Sequence, residues 1–323
     1  MRALVTGGAG FVGSHLIDLL LKSSYEVMVI DDLSTGKISN IESHLSQNSI
    51  ELIVGSADNE TLMEPLVQRC DCIFHLAATV GVELLLAKPM RTIHNNFDTT
   101  AVVMRLASRY RKKVLLTSTS EVYGKSTAVP FVESGDRIEG PTTTHRWAYA
   151  SVKALDEFLA LAYYKIESLP VSIVRLFNTV GPGQSANYGM VIPKMVRSAL
   201  AGDDLLVHGD GQQTRCFCHV HEAVQAIKLI MESDECNGEV INVGSDEEVS
   251  ILSLANTVKE IVNSKSMVKL ISYEEAFPLG GFEDMRRRVP AISKAENLVG
   301  WKPQMSLREI VSDVVEQRRL DIK

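Results

Sequence analysis

MRALVTGGAGFVGSHLIDLLLKSSYEVMVID, residues 1–31, sets a strand, a glycine-punctuated turn, a helix, a second strand and an acid in one unbroken run. Arg2 to Thr6 reads as a short apolar strand, Gly7-Gly8-Ala9-Gly10-Phe11-Val12-Gly13 as the turn, Ser14 to Lys22 as an amphipathic helix and Glu26 to Ile30 as the next strand. The spacing gives each glycine its own role. Gly7 permits the tight turn, Gly10 lets the backbone approach a pyrophosphate at the positive helix N-terminus, and Gly13 lets helix and strand pack closely. Asp31 then stands where a carboxylate accepts hydrogen bonds from an adenosine ribose. Its charge also repels a ribose 2'-phosphate, so the expected cofactor is NAD rather than NADP. A lone glycine pattern would be weak; both strands and the acid in register make it specific.

The 323 residues are enough for one large domain or two closely packed ones, and 45% hydrophobic residues supply an ample core. A net charge of -7 with no long basic block speaks against a nucleic-acid or anionic-membrane partner. Met1 leads straight into the first strand with no space for a signal peptide, and no apolar run approaches the ~20 residues of a membrane span, so a cytoplasmic protein is expected. Five scattered cysteines, Cys70, Cys72, Cys216, Cys218 and Cys236, fit reduced thiols better than a disulfide framework. The crowded Cys216-Phe217-Cys218-His219-Val220-His221 is read as a buried strand and not as a metal site. Alternation puts its thiols on one face and His219 on the other, and zinc sites usually space their cysteines more widely.

Further strands are expected at Ile50 to Val54, Cys72 to Leu76, Lys113 to Ser118 and Val171 to Phe177. Helical patterns lie between them, notably Thr92 to Tyr110 and Ala148 to Glu167. Alternation of this kind predicts an α/β fold, a Rossmann-type doubly wound parallel sheet covered on both faces. Past Gly181 the rhythm changes: a Pro182-Gly183-Gln184 loop, a helix from Gly189 to Ala201, a strand at Leu205 to Val207 and a Gly209-Asp210-Gly211 turn. The expected division is a dinucleotide-binding domain over 1–180 that includes the Ala148 to Glu167 helix. A smaller, substrate-capping C-terminal domain over 181–323 follows, with segments open to exchange between the two.

Tyr149-Ala150-Ser151-Val152-Lys153 places a phenol and an ammonium one helical turn apart on one face. Lys153 is then positioned to hold a ribose hydroxyl and, together with a positive nicotinamide ring, to lower the acidity threshold of Tyr149 so that its phenolate acts as a base. Alone, such a pair is weak evidence and is more often an ordinary helix surface pair.

The ordered set of segments is more telling. TGGAGFVGSHL from Thr6, HLAA from His75, TSTSEVYG from Thr117, YASVK from Tyr149, RLFNTVGPG from Arg175, HGDGQQTR from His208, NVGS from Asn242, RRVP from Arg287 and GWKP from Gly300 resemble, in order, the extended short-chain dehydrogenases/reductases that act on nucleotide sugars. The resemblance spans essentially the whole chain. It implies that Gly7, Gly10, Phe11, Val12, Asp31, Thr35, Leu76, Ala77, Asn95, Tyr149 and Lys153 surround NAD. It further implies that Asn178, Val191, Lys194, His208, Arg215 and Arg288 line a nucleotide-diphosphate-sugar site, most simply for a UDP-sugar. Departures stand at Ser56-Ala57, where many relatives have an acid and an apolar residue near the adenine. Asp98 replaces a common glycine, and His208 often corresponds to a tyrosine beside the base.

Members of the family share a first step, in which the tyrosine removes the proton of the sugar 4-hydroxyl while hydride passes to NAD and a 4-ketone forms. In 4,6-dehydratases the positions of Ser120 and Glu121 are typically an aspartate and a glutamate, and in simple 4-epimerases both are usually small and neutral. Ser120-Glu121 with Arg288 instead resembles UDP-glucuronate decarboxylases. There a 4-keto uronate is a β-keto acid that loses carbon dioxide readily, giving UDP-xylose after hydride return or a 4-keto pentose if released earlier. The resemblance implies catalytic roles for Thr119 (holding the 4-oxygen), Ser120 (hydrogen-bonding the carboxylate), Glu121 (repelling it or steering a water), Tyr149, Lys153 and Arg288. Arg288 would bind the carboxylate or deliver a proton to C5, or equally clamp the diphosphate. A UDP-sugar 4-epimerase is the alternative, and a non-catalytic dinucleotide sensor a remote one. Val102, Val103, Leu159 and Tyr163 exceed one core-facing stripe on the two long helices, which predicts pairing of these helices in a homodimer.

Overall fold

The structure is a computed structural model, described here for residues 1–81, 89–186, 189–277, 283 and 285–322. Strands β1 (Arg2–Thr6), β2 (Glu26–Asp31), β3 (Ile50–Val54), β4 (Cys72–His75), β5 (Lys113–Thr119) and β6 (Val171–Leu176) join the Val240–Val243 strand in one sheet. Its order is Val240–Val243, β6, β5, β4, β1, β2, β3, and every neighbouring pair is parallel. Strands covered on both faces must be apolar on both, which is why near-continuous apolar runs rather than alternation mark them. The order reverses between β1 and β4, and in open parallel sheets ligands lie outside the carboxyl ends of the strands at such a point.

One face buries Leu16, Ile17 and Leu20 of the Phe11–Lys22 helix with Val224, Ile227 and Ile230 of the Val220–Glu232 helix. On the other face lie Met63 and Val67, Val103, Met104 and Leu106 of the Pro89–Tyr110 helix, and Ala160 of the Trp147–Glu167 helix. A third apolar cluster is built beyond residue 181 by the Val191–Ala201, Ile251–Val262 and Leu307–Ile322 helices. The Val220–Glu232 helix and the Val240–Val243 strand, although they follow that cluster's first members in sequence, return to the large sheet.

The first helix starts at Phe11, not Ser14, because Gly10 takes the extended conformation of a cap and the turn is only four residues long. Gly7 has φ +73°, and a Cβ there would sit 2.8 Å from the Ala77 nitrogen. Gly13 is helical, and its Cβ would fall 2.2 Å from the Gly7 carbonyl oxygen. The close approach of helix and turn therefore excludes any side chain at either position. β5 runs one residue further than its pattern predicts, to Thr119, and β4 stops at His75, which leaves Leu76 and Ala77 in the loop at the sheet crest.

Cys216 to His221 is two short strands, Thr214–Cys216 and Cys218–His219, followed by the Val220–Glu232 helix, so His221 leaves the expected strand and begins a helix. His219 accepts from the His221 N–H at the helix start and meets Asp313 at 2.9 Å. All five cysteines are buried and unpaired with one another.

Buried His75 ties β4 to its neighbours: Nδ1 lies 2.8 Å from the Thr6 hydroxyl and Nε2 lies 3.1 Å from the Thr100 hydroxyl. Burial, reinforced by the Lys153 charge, pushes its imidazole down to about 3 from an ordinary 6.5. The folded protein thus keeps His75 neutral while the unfolded chain protonates it. This contribution to stability is complete above pH 6.5 and is lost progressively as pH falls from there toward about 3. The fall in melting temperature between pH 7 and pH 4 should accordingly be shallower in His75→Gln than in the native chain; parallel curves in a thermal melt series would contradict this.

Candidate active site

The glycine turn, the crest loop after β4, the end of β5 and the start of the Trp147–Glu167 helix converge on one cavity of about 840 Å³. Every candidate residue from the sequence lines it: Gly7, Gly10, Phe11, Val12, Asp31, Thr35, Leu76, Ala77 and Asn95 at one end, Thr119, Ser120, Glu121, Tyr149, Lys153 and Arg288 at the centre, and Asn178, Val191, Lys194, His208 and Arg215 beyond. At the first end the Phe11–Lys22 helix has no side chain capping its N-terminus and no acid in its first turn, so its N–H groups and positive dipole end are offered to an anion. Asp31 Oδ2 accepts from the Ala9 N–H and Oδ1 from the Leu33 N–H, both at 2.9 Å. Burial raises its acidity threshold, and these two backbone donors oppose that rise. Each oxygen keeps a further lone pair, so the cradle and the acid fit a dinucleotide with an unphosphorylated ribose. Ser56 and Ala57 line the same end. Asp98 does not, and pairs with His94 on the exposed side of its helix.

At the centre, Glu121 occupies the turn after β5 and is held from two sides. Arg288 Nη2 lies 2.6 Å from one carboxylate oxygen and Arg146 Nη2 3.1 Å from the other. Burial alone would raise the carboxyl, but the charges of Arg288, Arg146 and Arg215 overcome it and hold Glu121 at about 2. It is therefore an anion at any physiological pH and cannot donate a proton. Arg288 also points Nη1 at Ser120 Oγ and at Asn178 Oδ1, each at 3.5 Å. Thr119 Oγ1 caps the Glu121 N–H at 3.2 Å and hydrogen-bonds the Tyr149 phenol.

The sequence expectation for Tyr149 concerns the site with a positive nicotinamide ring in place; the protein's own groups act on the phenol without it. Burial, then the charges of Glu121 and Asp156, push its phenol above the ordinary tyrosine range, with only Thr119 acting the other way. Lys153, the neighbouring cation, has its Nζ paired with Asp156 Oδ2 at 3.1 Å, so much of its charge is already answered inside the protein.

Toward the far end, the Val191–Ala201 helix presents a second N-terminus without a side-chain cap, beside Lys194. Arg215 is fixed there by donating to the Met285 carbonyl at 2.9 Å. His208 meets the Phe277 ring edge-on at 5.4 Å, and both rings line this end of the cavity.

Arg146 and Asp156 escaped the sequence reading, yet both were within reach of it. Arg146 lies three residues before Tyr149 and Asp156 three after Lys153, so 146, 149, 153 and 156 lie along one helix face. The buried pair of Glu157 with Arg175 (3.0 and 2.7 Å) locks that helix to β6 and so holds the face over the cavity.

A family model described as GDP-mannose 4,6 dehydratase matches residues 4–314. The UDP-N-acetyl-alpha-D-glucosaminuronate decarboxylase of Bacillus cytotoxicus is 41% identical over 316 residues, covering 98% of this chain and 97% of its own. UDP-glucuronic acid decarboxylase 6 of Arabidopsis thaliana is 36% identical over 321 residues, 99% and 89% of the two chains. Among solved structures, the UDP-glucuronic acid 4-epimerase from Bacillus cereus, in complex with UDP-glucuronic acid and NAD, is similar at TM-score 0.89 and 28% identity, with 99% of both chains covered. With its glycine cradle, its Tyr149–Lys153 face and a family match over nearly its full length, the chain belongs to the GDP-mannose 4,6-dehydratase family of extended short-chain dehydrogenases/reductases.

Proposed function

We propose that this protein is an NAD-dependent decarboxylase of a UDP-linked hexuronate. The observation that carries this reading is the placement of Ser120, Glu121 and Arg288 beside Tyr149, with Arg288 held 2.6 Å from Glu121 and 3.5 Å from Ser120. The similarity to decarboxylases of UDP-glucuronic acid and of its N-acetylglucosamine counterpart supports it, and extends the expected substrates to a uronate with an N-acetyl group at C2.

The glycine turn, the first helix N-terminus and Asp31 would hold NAD, which when bound would supply the hydride acceptor and donor. Tyr149 takes the 4-hydroxyl proton, Thr119 steadies the 4-oxygen and Lys153 grips the ribose. The resulting 4-keto uronate breaks its C5–carboxylate bond once that bond stands out of the ring plane, its electrons passing to the 4-oxygen as carbon dioxide leaves. Ser120 and Arg288 are the donors that set this orientation. Glu121, fully ionised, works by fixing the guanidinium; its own charge is already offset by Arg146 and Arg288, so repulsion of the substrate is a minor effect. A guanidinium stays protonated, which favours carboxylate binding by Arg288 over proton delivery to C5. The enolate then takes its C5 proton from water, and return of the hydride to C4 with the Tyr149 proton to the 4-oxygen completes the UDP-pentose. Lys194, Arg215 and the second helix N-terminus suit the diphosphate. The 4-epimerase reading keeps the same first step and is favoured by the likeness to the Bacillus cereus epimerase; it leaves the Arg288–Glu121–Arg146 clamp without a role.

We also assign the protein to the cytoplasm, where five unpaired buried thiols are stable, and to a homodimer. The residues first read as unspent on the helices are largely interior: Val102 and Val103 are core, and Leu159 and Tyr163 are partly buried. The large apolar side chains left exposed on these helices are Met90, Ile93, Leu155, Phe158, Tyr164 and Ile166, with Met90, Phe158 and Ile166 the most exposed at 77%, 64% and 80%. Sedimentation at micromolar concentration should give twice the chain mass and fall to the monomer in Leu155→Glu/Phe158→Glu; a native monomer contradicts the dimer.

Tyr149→Phe should abolish NADH formation. Glu121→Gln and Arg288→Lys should retain UDP-sugar binding while cutting carbon dioxide release from UDP-glucuronate or its 2-N-acetyl analogue by ten-fold or more, of order 1.4 kcal/mol in the barrier. Conversion to a 4-epimer with the carboxylate retained would establish the epimerase instead. Asp31→Ala should weaken NAD and narrow its preference over NADP, because ribose hydrogen bonds and a repulsive charge vanish together; unchanged affinities for both would move the ribose elsewhere.

A further inference from the structure

Lys153 and Asp156 form an ion pair closed off from solvent, the residues 2% and 0% exposed and Nζ to Oδ2 3.1 Å apart. A carboxylate whose role is architectural spends both oxygens, as neighbouring Glu157 does on the two arms of Arg175. Asp156 does not: Oδ1 has no hydrogen-bond partner, and the lysine is its principal tie. Burial raises the Asp156 carboxyl; Lys153, and after it a side-chain hydrogen bond with Thr100 of the Pro89–Tyr110 helix, favour its ionised form, Glu157 of its own helix disfavours it, and His75 of β4, kept neutral, faces the lysine. Around the Tyr149 phenol stand Thr119 at the end of β5, Glu121 in the turn that follows, and Asp156. The charge of Glu121 is already met by Arg146 and Arg288. Glu121 still raises the phenol, ahead of Asp156, but its own charge is clamped, so the balance between Lys153 and Asp156 is the second charge beside the phenol and the one carried on its own helix.

We propose that Asp156 is a positioning residue for the base: it anchors the Lys153 ammonium on their shared helix and offsets its charge, and so controls how strongly that charge acts on Tyr149. The inference rests on Tyr149 being the base. Its consequence is that the phenol stays protonated in the protein by itself. Without the counter-ion, Lys153 would act on the phenol at full strength and the phenolate would form at lower pH.

Tyrosinate absorbance, followed through an alkaline titration of the protein as purified, reads this without turnover; the contribution of Tyr149 is the part missing from Tyr149→Phe. In Asp156→Asn that contribution should move to lower pH by about one pH unit, roughly ten times more phenolate at a given pH. The acid limb of the kcat profile should move the same way, and Asp156→Glu should restore both toward the native values. If Asp156→Asn does not fold, Asp156→Ser, smaller and still polar, takes its place. An unmoved titration alongside a lowered melting temperature would make Asp156 merely structural and overturn the proposal. Full turnover in Tyr149→Phe would instead overturn the base, a separate outcome.

Discussion

Glu121 binds three distant pieces of chain into one site. The turn after β5 carries it, the residue that precedes the Trp147–Glu167 helix supplies Arg146, and a segment some 170 positions downstream in the chain's second half supplies Arg288, all within 3.1 Å of its oxygens. A carboxylate buried this far is tolerable only because two guanidiniums answer it, and each guanidinium is tolerable only because the carboxylate is there. Removing one partner of a buried pair usually costs about 3–5 kcal/mol, since the remaining charge is left stranded. The clamp therefore specifies geometry: it fixes where the Arg288 fork points, toward Ser120 and Asn178, before any substrate arrives.

The same logic repeats along one helix. Positions 146, 149, 153, 156 and 157 contribute an arginine to Glu121, a phenol, a lysine with its own counter-ion and a glutamate that bolts the helix to β6. Each ionised group has an opposite charge at hydrogen-bond distance, so the site combines low exposure with near-balanced charge. Such preorganisation suits a reaction in which charge moves from a hydroxyl to a ketone to an enolate. Fixed dipoles and ions then stabilise each stage with little rearrangement.

The first thirty-one residues disclosed the fold because glycine spacing, strand periodicity and the terminal acid are local properties, set by backbone geometry within one unit. Gly7 and Gly13 stand where the backbone leaves no space for a Cβ, and six of the seven parallel strands follow from near-continuous apolar runs; the seventh, Val240–Val243, was not read from the sequence and joins the sheet from the second half of the chain. The candidate site residues were legible through the ordered family segments, and they share one cavity. Ion pairing was not legible: nothing at Glu121 announces Arg288, since their meeting depends on how the second half of the chain closes over the first. The counter-ion of Lys153 was hidden for the same reason, because helix spacing alone presents Lys153 as a free charge and does not reveal Asp156, three residues on, as its partner. His221 was placed in a strand because alternation continues across Val220, whereas His219 ends the strand by capping the next helix.

The central claim is that the Ser120–Glu121–Arg288 arrangement directs a 4-keto sugar toward loss of its carboxylate. Carbon-13 NMR of the wild-type protein turning over UDP-glucuronate, or its 2-N-acetyl analogue, labelled at the carboxylate carbon tests it directly. The account predicts that the label leaves the sugar and accumulates as bicarbonate while a UDP-pentose forms. A label that stays on the sugar while C4 inverts would contradict it.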